Sequence, residues 1–284
     1  MNTDHITEKN RKVFSTFPDT PYLGEIRPRK KRMKALTLMT RAAAVLFIPL
    51  AIYTVIDLMS DSKGPEIQDD IAMTDRLYRV DNGVKGKVTL PDGTTVQLNS
   101  GSELLLSDNF SSERFVSLKG EGYFEVKADT SNPFYIKTPK DVTIKVTGTT
   151  FNLCCYQEEQ EVKLSLIKGS VEVMKDSRTL YRMTEQEEVS ILGEEIITVT
   201  EVPEESTAWT KGSLMFEDTS MKEVISRMER WYGKKIIVED PSIYESSFTG
   251  DFRSESIGQV LELLRITSGI NYTVEEDKIT LSKE

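Results

Sequence analysis

Between residues 84 and 200 apolar and polar side chains alternate, segment after segment, and that pattern commits the stretch to β-structure. Val84, Gly86, Val88 and Leu90 alternate with Lys85, Lys87 and Thr89, and then Thr94, Val96 and Leu98 alternate with Thr95, Gln97 and Asn99. A strand sends successive side chains to opposite faces, so this period buries one face and wets the other. It recurs at Phe124/Val126, Phe134/Ile136, Val142/Ile144/Val146, Phe151/Leu153/Cys155, Val162/Leu164/Leu166, Val171/Val173, Val189/Ile191 and Ile197/Val199. Short strands about 8–12 residues apart predict an all-β sandwich or β-roll over residues 84–202. Pro91-Asp92-Gly93 predicts a turn, because Pro presets φ, Asp bonds its own backbone and Gly accepts φ > 0. No 3.6-residue apolar period there is long enough for a structural helix.

Residues 212–284 change character. Leu214-Met215-Phe216 reads as a strand, and Ser220 with Glu223 resembles a capping box. Met221, Val224, Ile225, Met228 and Trp231 follow at helical spacing up to Gly233, placed for a C-cap. Ile236–Val238 and Ser247–Phe252 are expected strands around Pro241. Ile257, Val260, Leu261 and Leu264 form a second helical stripe ending at Gly269, and a hairpin around Glu276-Asp277 closes the chain. The order β-α-β-β-α-β-β predicts a small α+β domain, joined to the first by a linker at Pro203-Glu204-Glu205-Ser206.

Upstream lies one apolar run, Ala42–Ile56, AAAVLFIPLAIYTVI. Arg27, Arg29, Lys30, Lys31, Arg32, Lys34 and Arg41 precede it, whereas Asp57, Asp61, Glu66, Asp69, Asp70 and Asp75 follow it. Cations before and carboxylates after predict a single crossing with the N-terminus in the cytoplasm. The run alone spans about 22 Å as a helix, less than the ~30 Å hydrocarbon core. Extension to residues 36–59 covers the core, with Arg41 snorkelling at one end and Pro49 a tolerated kink. A buried soluble helix fits poorly, since the run has no polar face. A cleaved signal peptide also fits poorly, since the basic cluster starts far from Met1 and residues 57–61 offer no small-residue cleavage site. The expected organisation is a basic tail (1–35), a transmembrane helix (36–59), a linker (60–83), the β domain (84–202) and the α+β domain (212–284).

Charge narrows the function. The net charge is −10, yet the first 41 residues hold ten Lys/Arg against four Asp/Glu. The acidic remainder argues against nucleic-acid binding. The only histidine is His5, so no histidine base or His-bearing metal site is expected in the head. Glu121 and Glu125 share a strand face and could pose as an acid pair, but a solvated face is the expected reading. Gly120-Glu121-Gly122 and Gly148-Thr149-Thr150 lack the strand-to-helix setting of a phosphate loop and are expected as turns or close backbone packing. Cys154 and Cys155 are adjacent, so a bridge between them would be strained; one is expected inward and the other outward. Neither catalytic residues nor a cofactor or metal site is expected.

The motifs LPDGTTVQLNSGSELLL (from Leu90), VSLKGEGYFEVKADTSNPFYIKT (from Val116), VTGTTFNLCCY (from Val146) and VKLSLIKGSVEV (from Val162) resemble the periplasmic domain of FecR-type transmembrane regulators. GSLMFEDTSMKEVISRMERWYGKKIIVED and FTGDFRSESIGQVLELLRITSGINY resemble the C-terminal domain that often follows it, similar in layout to receptor short signalling domains. The resemblance covers about residues 41–284 and makes Pro91, Asp92, Gly93, Gly120, Gly122 and Gly148 its motif turns. It implies an inner-membrane anti-sigma regulator with its head in the periplasm. Such a regulator relays the state of a TonB-dependent outer-membrane transporter, through that transporter's signalling domain, to an extracytoplasmic-function sigma factor, with iron chelates or glycans as inputs. It also implies an intramembrane protease as partner, with Pro49 a candidate opening point. The tail departs from many relatives, having no tryptophan and three prolines, Pro18, Pro21 and Pro28. Sigma contact is therefore expected as a short motif containing Phe14, Phe17, Tyr22 and Leu23, ordered only on its partner. The alternative from the residues is a membrane-anchored envelope binding or scaffold protein without a sigma partner.

Overall fold

The structure, a computed structural model, describes residues 76–276 and 278–283. The expected tail, membrane crossing and most of the expected linker lie outside them, and with them Phe14, Phe17, Tyr22, Leu23, Arg41 and Pro49. Among the described residues no helix is long and apolar enough to cross a membrane.

The β domain runs through β1 (Arg76–Arg79), β2 (Gly86–Thr89), β3 (Thr95–Leu98), β4 (Glu103–Leu106), a single turn of helix α1 (Phe110–Glu113), β5 (Phe115–Glu125), β6 (Phe134–Lys137) and β7 (Thr143–Val146). It continues with β8 (Thr150–Cys155), β9 (Val162–Lys168), β10 (Val171–Lys175), β11 (Arg178–Met183), β12 (Glu187–Leu192) and β13 (Glu195–Glu201). Strand β5 organises them. Its first half pairs antiparallel with β4 and parallel with β6, and its second half, from Gly120, pairs antiparallel with β3 and β8. One sheet therefore reads β1-β4-β5-β6-β7-β10-β11 and the other β2-β3-β5-β8-β9-β12-β13. The alternating apolar residues meet between the sheets, with Phe124 stacked on Phe151 at 5.0 Å and edge-on to Phe134 at 6.4 Å.

Gly120 and Gly122 are not turn residues: both lie inside β5, where it passes from one sheet to the other. Gly120 has φ +102°, and a Cβ there would stand 2.4 Å from Ser102 Oγ and 2.7 Å from Ser102 Cα. Pro91-Asp92-Gly93 does form a turn, and Asp92 accepts from Thr94 N–H at 2.9 Å as the turn chemistry demands. Its carboxylate also accepts two bonds from the buried Arg114, at 2.9 and 2.7 Å, and Arg114 donates further to the carbonyls of Asn132 and Lys127. Gly148 sits in a bend, 2.7 Å from Ala128 Cα if given a Cβ.

Three expectations need correcting. The segment 60–83 is not all linker, because β1 pairs with β4 from Arg76 onward. The alternating pairs named above did not include β1, β4, the start of β5 or β11: Arg and Tyr interrupt the period in β1 and β11 and Leu105 interrupts it in β4, whereas Val116 and Leu118 in β5 do alternate with Ser117 and Lys119. The stretch at 203–206 is not a plain linker: helix α2 (Glu205–Ala208) begins within it and runs into a 3-10 turn (Trp209–Lys211).

The C-terminal domain contains β14 (Leu214–Ser220), α3 (Met221–Tyr232), β15 (Lys235–Val238), a 3-10 turn (Pro241–Glu245), β16 (Ser247–Phe252), α4 (Ile257–Ser268), β17 (Ile270–Val274) and β18 (Lys278–Lys283). β14 pairs with β16, while β18 lies between β15, to which it is parallel, and β17, to which it is antiparallel. The helical stripe of α3 is buried at Met221, Val224, Ile225 and Met228. Ser220 caps α3 by accepting from Glu223 N–H, but the Glu223 carboxylate turns to Lys163 of the β domain instead of closing a capping box. The reciprocal box is at α4, between Ser256 and Gln259.

Gly120→Ala is expected to destabilise the head by about 3 kcal/mol, since the methyl meets the Ser102 backbone and the positive φ disfavours any Cβ. The measurement is a shift of the chemical-denaturation midpoint at unchanged slope.

Candidate functional site

The outer face of the sheet containing β5 would be wet in an isolated sandwich. Cross-strand pairing lines up Glu121 with Cys154, Cys154 with Lys163, Asn152 with Ser165 and Ser165 with Glu188. These polar positions instead meet α2, the turn at Trp209 and α3, around a small polar cleft. Trp209 and Trp231, the chain's two tryptophans, both line it.

At its centre is a chain of hydrogen bonds. Trp209 Nε1 donates to Asn152 Oδ1 at 3.2 Å, Asn152 Nδ2 donates to Glu121 Oε1 at 2.9 Å, and Asn99 Nδ2 donates to Glu121 Oε2 at 2.7 Å. Burial pushes the Glu121 pKa above the ordinary glutamate value, while the two amides and the charges of Arg227 and Arg230 pull the other way. Glu121 is therefore the exception to the expected solvated face, whereas Glu125 is exposed and accepts from Thr95. Ser165 and Ser206 both donate to Glu188, which ties β9 and β12 to α2.

Helix α3 supplies the cations and aromatics of the opposite wall. Arg230 bonds Glu159 at 2.8 Å and lies over the Tyr156 ring at 3.8 Å. Lys163 reaches both Glu223 oxygens at 3.0 and 3.1 Å. Arg227 pins α3 to its own surroundings, through Glu205 and the Met215 carbonyl. At the C-terminal end of α3, the turn between β1 and β2 makes contact: Gly83 N–H donates to the Arg230 carbonyl at 2.8 Å, and Lys85 Nζ sits 3.3 Å over the Trp231 ring. A Cβ on Gly83 would lie 3.6 Å from Gly233 Cα, so a side chain there would fill the space between the two glycines.

Both cysteines are free thiols. Cys155 faces the core and donates to the Leu118 carbonyl, as alternation predicts. Cys154 faces away from the core, yet into the cleft. Burial, together with Glu159 and Glu121, pushes its thiol well above the ordinary range and holds it protonated. Among the described residues no group of three His, Cys, Asp or Glu is placed to hold a metal ion. The cleft joins charged groups of the β domain to groups of α2 and α3, so its contacts link the two domains. The motif residues Pro91, Asp92, Gly93, Gly120, Gly122 and Gly148 shape the β domain and do not line this cleft. The strand residues that line it were hidden among ordinary outward positions; the one signal was the pair of tryptophans, Trp209 between the two expected domains and Trp231 on the first helix of the second.

Because the unfolded chain ionises Glu121 more readily than the folded one, its burial costs stability progressively as pH rises above the ordinary value of 4.5, levelling off above the raised value. The wild type should lose thermal stability relative to Glu121→Gln across that window. Thermal melts of both proteins from about pH 4 to about pH 8 test it, and parallel curves would refute it.

Two family models match the chain: FecR protein over residues 76–172 and FecR, C-terminal over residues 213–281, together more than half of it. Two crystal structures of a candidate anti-sigma factor from Parabacteroides distasonis are similar, each at 30% sequence identity and a TM-score of 0.65. Each similarity covers 74% of this chain and 99% or 100% of the solved one. No curated protein matches. With both of its domains matched in order and a solved relative covered almost end to end, the chain belongs to the FecR family.

Proposed function

We propose that the protein is a single-pass transmembrane anti-sigma regulator. Its N-terminal tail holds an extracytoplasmic-function sigma factor in the cytoplasm, and its described head reads a TonB-dependent transporter in the periplasm. The observation that carries this is the likeness of both head domains, in sequence and in fold, to a solved protein described as a candidate anti-sigma factor. The charge step around Ala42–Ile56 supports the crossing and its orientation. Phe14, Phe17, Tyr22 and Leu23 are the candidate side chains for sigma contact in a basic, proline-broken tail.

The head's surface supports docking of the transporter's signalling domain on the C-terminal domain. β17 pairs on one side only, and α4, packed beside it, exposes Leu263 at 38% and Ile266 at 67%. An open strand edge next to exposed apolar residues suits strand addition. The inputs proposed are iron chelates or glycans, and Pro49 is the proposed weak point for intramembrane proteolysis.

Full-length protein should co-purify with its sigma factor, and Phe14→Ala/Phe17→Ala should reduce the yield at least tenfold. Equal recovery would remove the tail motif from the mechanism. Ile266→Asp should abolish transporter-dependent induction while sigma co-purification stays unchanged; full induction would exclude α4 as the docking face.

A further inference from the structure

We infer that the joint between α3 and the outer face of the β domain is a latch, able to open while both domains stay folded, and that its closed form grips the β1–β2 turn. This rests on the proposed function only for its consequence, the path by which a docked partner reaches the membrane.

Composition of the joint is the first ground. The two apolar cores share no residue: one is built from residues 90–191 and the other from 214–281. The contacts that bridge them are mostly polar and include Lys163 to Glu223, Arg230 to Glu158 and Glu159, Arg230 over Tyr156, Lys85 on Trp231 and the Trp209–Asn152–Glu121 chain. The Lys163–Glu223 side chains remain 35% and 34% exposed, a setting in which an ion pair contributes little net stability, and Arg230, 11% exposed against Glu159 at 27%, is the firmer hold. Glu121, half-buried and bonded to the Asn152 and Asn99 amides beneath the covering elements, adds a cost to closure. A polar joint of this kind opens at lower free energy than either apolar core unfolds.

What the joint holds is the second ground. The last carbonyls of a helix lack partners within it, and Gly83 N–H supplies one to Arg230. Lys85 on Trp231 adds to the same grip. This turn follows β1, the first strand of the head, after the segment that leads in sequence from the proposed crossing. When α3 leaves the sheet, the turn loses its hydrogen bond and its cation–aromatic contact together. Displacement of the C-terminal domain is thereby converted into release of the first turn that follows the proposed crossing in sequence.

The Gly83 amide reports the latch, because its bond crosses the joint. Hydrogen exchange on the full-length protein in lipid nanodiscs would follow it beside Phe124 in β5 and Met228 in α3. In Lys163→Gln/Arg230→Gln, Gly83 should exchange at least tenfold faster, with Phe124 and Met228 unchanged. In the wild type, Gly83 alone should accelerate as salt rises from about 0.05 to about 1 M, since screening weakens the ion pairs. Gly83 protection unchanged by both treatments, or wild-type Gly83 exchanging only in step with Phe124 and Met228 across the salt series, overturns the latch. Neither reading needs a sigma factor or a transporter, so failure of the latch and failure of the proposed function are separable.

Discussion

The shared strand β5 is the constraint on which the head depends. A single strand that serves two sheets must change direction midway without breaking its ladders, and the Gly120 backbone does this at a φ closed to most residues. Upstream of that point β5 pairs with β4 and β6 and helps enclose the aromatic core. Downstream it carries Glu121 outward, in the row shared with Asn99, Cys154 and Lys163. The bend that closes the sandwich therefore also sets the floor on which the C-terminal domain sits. Ser102, against Gly120, is part of the same arrangement: its hydroxyl both accepts from Glu121 N–H and donates to the Glu121 carbonyl.

A buried charge and a half-buried one serve different ends. Arg114 is enclosed in the β domain with nearly every donor used, on Asp92 and two backbone carbonyls, which is the condition under which a buried cation is tolerated. Glu121 is held by two neutral amides and feels its cations only at a distance, so burial prevails and its pKa rises. The first arrangement pins loops within one domain. The second places a titratable group at the boundary between two domains.

Much of the architecture was legible in residue pattern. Alternation located most core strands, because a half-buried strand must alternate, and the Ser220-to-Gly233 stripe located α3 with both its ends. The parts that escaped share a physical reason. β11 carries charged and aromatic residues, and β4 the apolar Leu105, where the period calls for another class, and one turn of helix at Phe110 is too short to show a period. The Glu223 carboxylate could cap its own helix or reach another domain, and local spacing favours the first. The joint was illegible because Asn99, Glu121 and Asn152 look like any wet strand face until something covers them.

Sequence by itself determined the order of the two domains, most of their strands, their two long helices and the family they resemble, since periodicity, caps and motif spacing are local properties of the chain. It also determined that the head holds no histidine for acid–base or metal chemistry. Only the tertiary structure decided that β5 joins both sheets, that Glu121 is covered while Glu125 stays wet, and that the turn at Gly83 is held by the end of α3. Those outcomes depend on which faces meet across long stretches of chain, and a one-dimensional pattern distinguishes buried from exposed without saying what does the burying.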